Sequence, residues 1–340
     1  MALPFLKNLN WHCNLTMVIL LPVATLWSCG SDDEDDGQPP VPPANLYDWT
    51  NQQSLSLVSL KDIDFVDNNF GWAVGEELVL TTSTGGVSWQ PAPLESSSQP
   101  GQINSITFVN RQQGWLAGSA DDETGEIFIT QQGGAYPILQ QSYQDPLQAI
   151  YFLNGQLGWA SGNTGKVVHT TDGGSAWEII ADLGVDLFDV YFTTEMKGWV
   201  AGDNGTLFKT TDGTIFQTED LGIDHRLNSI HFVDTLHGWV CGARNTVFRR
   251  HLNEDNQIVW SDVSVAQASA ATDWNDICFI DRLTGWVVGT EGFIYRTTDG
   301  GQSWERESIE TAENLNAISM VSTSKGWIAG DQGLIFTYTP

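Results

Sequence analysis

The dipeptide Gly-Trp recurs seven times at nearly constant spacing, and this repeat limits the possible folds more than any other feature of the sequence. Successive copies are 43, 44, 40, 40, 47 and 41 residues apart. Periods of this size indicate a chain of similar structural units that bury their apolar faces against one another. The seven repeat tryptophans are Trp72, Trp115, Trp159, Trp199, Trp239, Trp286 and Trp327.

The residues around each Gly-Trp keep fixed positions and predict strands. A large apolar residue precedes the glycine by six positions, and an Ile or Val stands two positions earlier, as in Ile63 and Phe65. Residues two apart lie on the same face of a strand. Asp-Gly turns and a further tryptophan follow, so each period holds four short strands, which is typical of a propeller blade. Apolar residues at helical spacing, which a helical solenoid would need, are missing.

Seven repeats predict an all-β fold, a single seven-bladed β-propeller of four-stranded antiparallel blades over residues 45–340. The last repeat ends before its fourth strand. Trp49 precedes Leu60 by the same 11 residues that separate Trp304 from Leu315. We therefore expect the N-terminal strand to complete the last blade and close the ring, which removes a free sheet edge.

The N-terminal segment has the features of an export signal. Lys7 is followed by an apolar stretch, Leu15–Trp27, that is too short to span a bilayer as a helix. Leu26-Trp27-Ser28-Cys29 resembles a bacterial lipobox, which implies a lipoprotein signal peptide at 1–28 and a lipid on Cys29. Residues 29–44 are acidic and then rich in proline, and they predict a tether.

The acidic run after Cys29 resembles the export signal of Bacteroidota lipoproteins. This resemblance implies an outer-membrane lipoprotein exposed at the cell surface, with a periplasm-facing anchor as the alternative. The lipid would be the membrane attachment, and the propeller itself would form a monomeric ring.

Charge excludes one class of partner and marks one sector of the ring. The chain has 42 acidic and 14 basic residues, a net charge of −28, which argues against nucleic acid. Seven of its eight arginines fall in blades 5 and 6, where they form either a partner surface or a set of solvated strand and turn residues. These candidates are Arg226, Arg244, Arg249, Arg250, Arg282, Arg296 and Arg306.

The repeat resembles the photosystem II stability/assembly factor family over roughly residues 47–340. The resemblance rests on Gly-Trp-x-x-Gly and on Thr298-Asp299-Gly300-Gly301-Gln302-Ser303-Trp304. It implies a single seven-bladed propeller that binds a membrane-protein partner during assembly, through an arginine-rich surface.

The turns also resemble the Asp-box of sialidases and of tandem-propeller xyloglucanases, at Asp172, Asp212 and Asp299. In those enzymes the Asp-box is a structural turn remote from catalysis. A sialidase needs an arginine triad, which eight unevenly placed arginines hardly supply, and the xyloglucanases use a cleft between two propellers. We therefore predict no catalytic residues, and a sialidase- or xyloglucanase-like glycoside hydrolase remains the alternative.

The sequence predicts neither a metal site nor a cofactor. His169, His225, His231, His237 and His251 show no metal-ligand spacing. Cys241 and Cys278 lie 37 residues apart in strand-like segments and could form a disulfide in an exported protein. Their spacing does not favour pairing, so buried thiols are the preferred interpretation.

Together these features predict a non-catalytic binding or scaffold propeller that is tethered by lipid to the outer membrane. It would engage a protein or a glycan through one face of the ring or the mouth of the central channel. Assembly of a membrane complex is the role that the family resemblance implies.

Overall fold

The computed structural model describes residues 49–94, 101–121 and 123–338, and these form seven four-stranded antiparallel sheets. Blade 1 holds β2 (Leu60–Phe65), β3 (Gly71–Gly75), β4 (Leu78–Thr82) and β5 (Gln90–Pro91); blade 2 holds β6 (Gln102–Phe108), β7 (Gly114–Ser119), β8 (Gly125–Thr130) and β9 (Ile138–Tyr143). Blade 3 holds β10 (Leu147–Phe152), β11 (Gly158–Gly162), β12 (Lys166–Thr170) and β13 (Glu178–Asp182); blade 4 holds β14 (Leu187–Thr194), β15 (Lys197–Gly202), β16 (Leu207–Thr210) and β17 (Phe216–Thr218).

The remaining strands complete the ring. Blade 5 holds β18 (Leu227–Phe232), β19 (Gly238–Gly242), β20 (Thr246–Leu252) and β21 (Ile258–Asp262); blade 6 holds β22 (Trp274–Phe279), β23 (Gly285–Gly289), β24 (Ile294–Thr297) and β25 (Glu305–Glu307). Blade 7 holds β26 (Leu315–Ser322), β27 (Lys325–Gly330), β28 (Ile335–Tyr338) and β1 (Trp49–Gln52). Short 3₁₀ turns occur at Asn163–Gly165, Thr290–Gly292 and Asp331–Gly333.

Each inner strand contacts the inner strand of the next blade, and β26 contacts β2, so the sheets close into a ring. The predicted fold class is confirmed.

We call the end at which the inner strands begin, at Leu60 and its equivalents, the N face. The end at which they finish, at Phe65 and its equivalents, is the C face. The second strand of every blade returns to the N face because neighbouring strands are antiparallel.

The predicted closure by the N-terminal strand is also confirmed. β1 pairs with β28, with Trp49 opposite Tyr338 at the C-face end. The Trp49 indole Nε1 donates a 2.6 Å hydrogen bond to Glu307 Oε2 in the outer strand of blade 6. Trp49 also packs on Tyr338, with ring centroids 5.0 Å apart.

The repeat residues pack the junctions between blades, which explains their fixed spacing. The tryptophan of each Gly-Trp is fully or almost fully buried. Six of them stack on the motif phenylalanine of the following blade at centroid distances of 3.4–3.9 Å, and Met320 replaces that phenylalanine beside Trp286. The glycine before each tryptophan lies under the apolar residue six positions earlier, so any Cβ there would collide with it.

Indole hydrogen bonds join the same junctions. Where the next blade has a two-glycine turn, the tryptophan Nε1 donates to the first glycine carbonyl: Trp72 to Gly133, Trp115 to Gly173, Trp239 to Gly300 and Trp327 to Gly85. Blade 4 has lost the second glycine, and Trp159 Nε1 finds no acceptor among the described residues. Blade 5 has no such turn, and Trp199 donates instead to Glu219, which also accepts from Trp260.

The Asp-box residues have the turn-capping role that the resemblance implied. Oδ1 of Asp172, Asp212 and Asp299 accepts hydrogen bonds from backbone N–H groups within its own turn, at 2.8–3.0 Å.

The predicted signal peptide (1–28), Cys29 and the tether (29–44) lie outside the described residues and stay predictions. Within the part of the chain that the structure describes, no helix is long and apolar enough to cross a membrane.

Candidate partner-binding site

Three aspartates and one serine accept hydrogen bonds from backbone N–H groups along the central channel. Each inner strand presents one N–H at its motif Ile or Val position, and these seven donors have no strand partner on the channel side. Four side chains accept all seven: Asp62 from Ile63 and Ile106, Ser105 from Ile150, Asp189 from Val190 and Ile230, and Asp276 from Ile277 and Ile318. We call Asp62, Asp189 and Asp276 the channel aspartates.

Burial raises the pKa of every channel aspartate. The values are about 6 for Asp62, about 8 for Asp189 and about 7 for Asp276. Repulsion between the carboxylates adds to the increase for Asp189 and Asp276, whereas the backbone N–H groups oppose it. Both oxygens of each carboxylate already accept hydrogen bonds, so these residues act first as structural acceptors.

Sequence reasoning missed the channel aspartates, although a signal was present. The position before the motif Ile or Val is Asp, Ser, Ala, Asp, Ser, Asp and Ala in blades 1 to 7. Small polar residues at a repeated strand position are consistent with a common role. The role itself appears only when the inner strands are placed side by side.

The seven candidate arginines lie in several separate environments. At the N face, Arg226 stacks on Phe188 at 3.5 Å and Arg244 is exposed. Arg250 is only 2% exposed and donates to the carbonyls of Thr235 and Leu236, so it supports a loop. Arg296 and Arg306 stack on Trp286 and Phe293, respectively.

Arg249 and Arg282 meet in one cavity of about 700 Å³ between blades 5 and 6 at the C face. We call it the C-face pocket. His237 and Asp234 from blade 5 line it, together with the apolar Val233, Ile280 and Leu283. Leu283 is 53% exposed. The pocket therefore combines two guanidinium groups and the carboxyl groups of Asp234 and Asp281 with an apolar wall that solvent reaches.

Asp234 binds the side chains of two other residues that line this pocket, Arg282 and His237. Its Oδ2 accepts from Arg282 Nε at 2.9 Å, and its Oδ1 lies 2.9 Å from His237 Nδ1. Burial opposes ionisation of Asp234, but the N–H groups of Leu236 and His237 and the His237 ring lower its pKa well below the ordinary value. An ionised Asp234 thus fixes Arg282 at the rim.

Arg249 lies against the Asp-box turn of blade 6. A Cβ on Gly300 would come within 3.0 Å of the Arg249 guanidinium, and Gly300 has a φ of +78°. Both the lack of space and the backbone conformation therefore favour glycine at this position. Arg249 Nε is buried and has no acceptor among the described residues. Burial lowers the pKa of Arg249, and the Asp299 carboxylate opposes this effect.

Blades 1 and 2 provide an internal comparison. Arg111 and Asp67 occupy the positions of Arg282 and Asp234 and form the same ion pair, at 2.7 Å. The cavity there is about 260 Å³, and Phe70 and Thr81 stand where the C-face pocket has His237 and Arg249. The ion pair is therefore a repeat feature, whereas Arg249, His237 and the larger volume distinguish the junction of blades 5 and 6.

Metal and disulfide chemistry find no support in the described residues. No group of three or more His, Cys, Asp or Glu side chains there is arranged to hold a metal ion. Cys241 and Cys278 are both buried free thiols, as preferred from the sequence. Burial raises the pKa of Cys278 to about 12 and that of Cys241 well above its ordinary value.

Comparison with solved structures agrees on the fold. A structure named "YCF48 bound to D1 peptide" superposes with a TM-score of 0.72 at 20% identity, covering 88% of this chain and 97% of the other. YCF48 from Cyanidioschyzon merolae gives 0.70 at 19% identity, covering 86% and 99%. The WD40 β-propeller domain of Doa1 gives 0.65 at 12%, covering 86% and 97%. At these identities the likeness concerns the fold alone.

Sequence comparison identifies the family to which the chain belongs. It is 28% identical over 178 residues to "Photosystem II assembly lipoprotein Ycf48" of Synechococcus sp. (strain CC9902), which is 51% of this chain and about half (49%) of that relative's length. The family described as "Photosynthesis system II assembly factor YCF48" matches residues 41–135 and 252–339, more than half of the chain. The chain belongs to the photosynthesis system II assembly factor YCF48 family.

Proposed function

We propose that this protein is a non-catalytic assembly factor, tethered by a lipid on Cys29, that binds a segment of a membrane-protein partner in the C-face pocket. The observation that carries the proposal is the pairing of Arg249 and Arg282 with an apolar wall in one open cavity. Family membership supports the assembly role. The structure named for a bound D1 peptide supports a peptide as the kind of ligand that such a propeller holds.

The pocket's chemistry selects an acidic segment with an apolar side chain. Guanidinium groups bind carboxylates through paired N–H donors, and they lose less hydration than an ammonium when covered. Leu283 and Ile280 offer apolar contact beside them. The rest of the ring is strongly acidic, so this sector is where an acidic partner meets least repulsion.

The first described residue lies on the same face of the ring as the C-face pocket. Trp49, the first described residue, lies opposite Tyr338 at the C-face end of blade 7. A lipid on Cys29 would hold the protein at the membrane, at the cell surface or, as the alternative, facing the periplasm. Replacing Cys29 with Ser should release the protein from membranes, and continued membrane attachment would refute the anchor.

A glycoside hydrolase receives no specific support. Such enzymes need two carboxyl groups flanking the substrate bond. The channel aspartates spend both oxygens of each carboxylate on backbone N–H groups. We expect no turnover of aryl glycosides or polysaccharides by the purified chain, and turnover abolished by a single carboxylate change would reverse this conclusion.

A photocrosslinking amino acid at Leu283 tests the proposal in intact cells. Leu283 is exposed at the pocket rim, and Gln112 occupies the equivalent position between blades 1 and 2. We expect the Leu283 probe to capture proteins of one membrane complex, and the Gln112 probe to capture them poorly. Equal capture at both positions, or products that contain polysaccharide and no protein, would contradict the proposal.

A further inference from the structure

A second cavity, of about 440 Å³, opens at the N face, at the other end of the channel from the C-face pocket. We call it the N-face cup. The first channel-facing position of six inner strands contributes to its wall: Lys61, Asn104, Gln148, Asn228, Asn275 and Asn316. Five of these six side chains are carboxamides, which makes the cup far more polar than the C-face pocket.

Four of the carboxamides are held in the same orientation. Each donates through Nδ2 to a backbone carbonyl at the start of the next inner strand. The pairs are Asn104 with Leu147, Asn228 with Trp274, Asn275 with Leu315 and Asn316 with Leu60, at 2.7–2.9 Å. The four Oδ1 atoms accept no hydrogen bond from the described residues, so they remain acceptors for a ligand in the cup.

Carboxyl groups line the cup, at Asp273 and Asp331, and others lie below it. On three inner strands, a channel aspartate comes directly after this first channel-facing position. Lys61 is the one Lys or Arg in the described inner strands, and it lies exposed at the rim. His231 lies deeper, and burial lowers its pKa to about 4, which keeps it neutral near pH 7. A ligand in the cup therefore meets amide oxygens and the carboxyl groups of Asp273 and Asp331 around it.

Besides Lys61, the wall of the cup holds the guanidinium group of Arg226. The Arg226 guanidinium lies 3.5 Å from the centre of the Phe188 ring; burial lowers its pKa, and Asp203, Asp273 and Asp186 partly oppose this effect. This arrangement shows that the wall of the cup accommodates a flat cation against an aromatic ring.

We propose that the N-face cup binds the side chain of a lysine or arginine from a polypeptide partner. An ammonium or guanidinium group supplies only donors, which match the four Oδ1 acceptors, and its charge is complementary to the carboxyl groups of Asp273 and Asp331, which line the cup. The cup thus selects the opposite charge from the C-face pocket and lies on the opposite face. It does not depend on the function proposed above, and either site can fail without the other.

The test uses the full chain with n-butylguanidinium and n-butylammonium as probes and n-butanol as the neutral match. Side-chain amide signals of the asparagines are followed by NMR during titration. We expect saturable shifts with both cations, weakened by added salt, and none with n-butanol. Shifts of equal size with n-butanol, or no saturable shift with either cation, would overturn the proposal.

A charge-reversal pair provides the matched control. Lys61→Glu changes the charge at the rim of the cup, and Lys197→Glu makes the same change at an exposed C-face position. A change of two charges at roughly 10 Å in water should tighten cation binding about threefold at low salt. We expect this gain for Lys61→Glu alone. Equal gains in both variants would show a general charge effect and contradict a site in the cup.

Discussion

Trp49 carries the closure of the ring, and its replacement should lower stability in two separable steps. The indole donates to the buried Glu307 carboxylate and packs on Tyr338. Trp49→Phe keeps an aromatic ring but leaves Glu307 Oε2 without that donor, which should cost about 2 kcal/mol of unfolding free energy. Trp49→Ala also removes most of a buried aromatic side chain and should cost about 5 kcal/mol in total.

Equilibrium urea unfolding measures these losses, and a double-mutant cycle assigns them. Glu307→Ala should cost far less in the Trp49→Phe background than in the wild type, with a coupling of about 1–2 kcal/mol. Trp260→Phe is a suitable control, because Trp260 of blade 5 makes the same kind of hydrogen bond to Glu219, at a junction between blades that does not close the ring. Trp49→Ala, unlike this control, should also speed proteolysis between residues 53 and 59. Loss of less than about 0.5 kcal/mol in Trp49→Ala would refute the closure argument.

Three further predictions concern the channel, the pocket and the thiols. Asp189 has a pKa of about 8 in the folded chain and an ordinary value of 3.8, so native Asp189 retains a proton that the unfolded chain releases between these values. The unfolding free energy of the wild type should therefore fall relative to Asp189→Asn as pH rises from 5 to 8, by at most about 1.4 kcal/mol per pH unit; parallel curves would contradict this. Gly300→Ala should lower the melting temperature more than Gly184→Ala, because both glycines have positive φ but only a Cβ at Gly300 would meet the Arg282 carbonyl and the Arg249 guanidinium, and equal losses would argue against these contacts. Cys241 and Cys278 should react with a thiol reagent only after unfolding, and rapid reaction of the native chain would show that they are not buried as described.

The architecture was predictable because its determinants are local and repeated. The spacing of Phe65 from Gly71 recurs in every blade, since each phenylalanine covers its own glycine and stacks on a neighbouring tryptophan. The offset between Trp49 and Leu60 similarly predicted the closing strand. Such contacts join adjacent repeats, so a period in the sequence reports them directly.

The candidate sites depend on distances that no repeat encodes. Arg249 and Arg282 are 33 residues apart and meet only because blade 5 lies beside blade 6. Arg250 stands next to Arg249 in the sequence yet is buried, and it donates to the Thr235 carbonyl and so supports a loop. Composition could mark the sector, but strand direction and burial decide which arginines can meet a partner.

The central claim is that the C-face pocket between blades 5 and 6 binds the partner. Arg282→Glu and Arg111→Glu remove equivalent ion pairs, with Asp234 and Asp67, and change the charge by the same amount. The most direct measurement is the yield of partner crosslinked through Leu283 in cells that carry each variant. We predict that Arg282→Glu reduces this yield at least tenfold, equivalent to about 1.4 kcal/mol, whereas Arg111→Glu leaves it nearly unchanged. Equal yields in the two variants would contradict the claim.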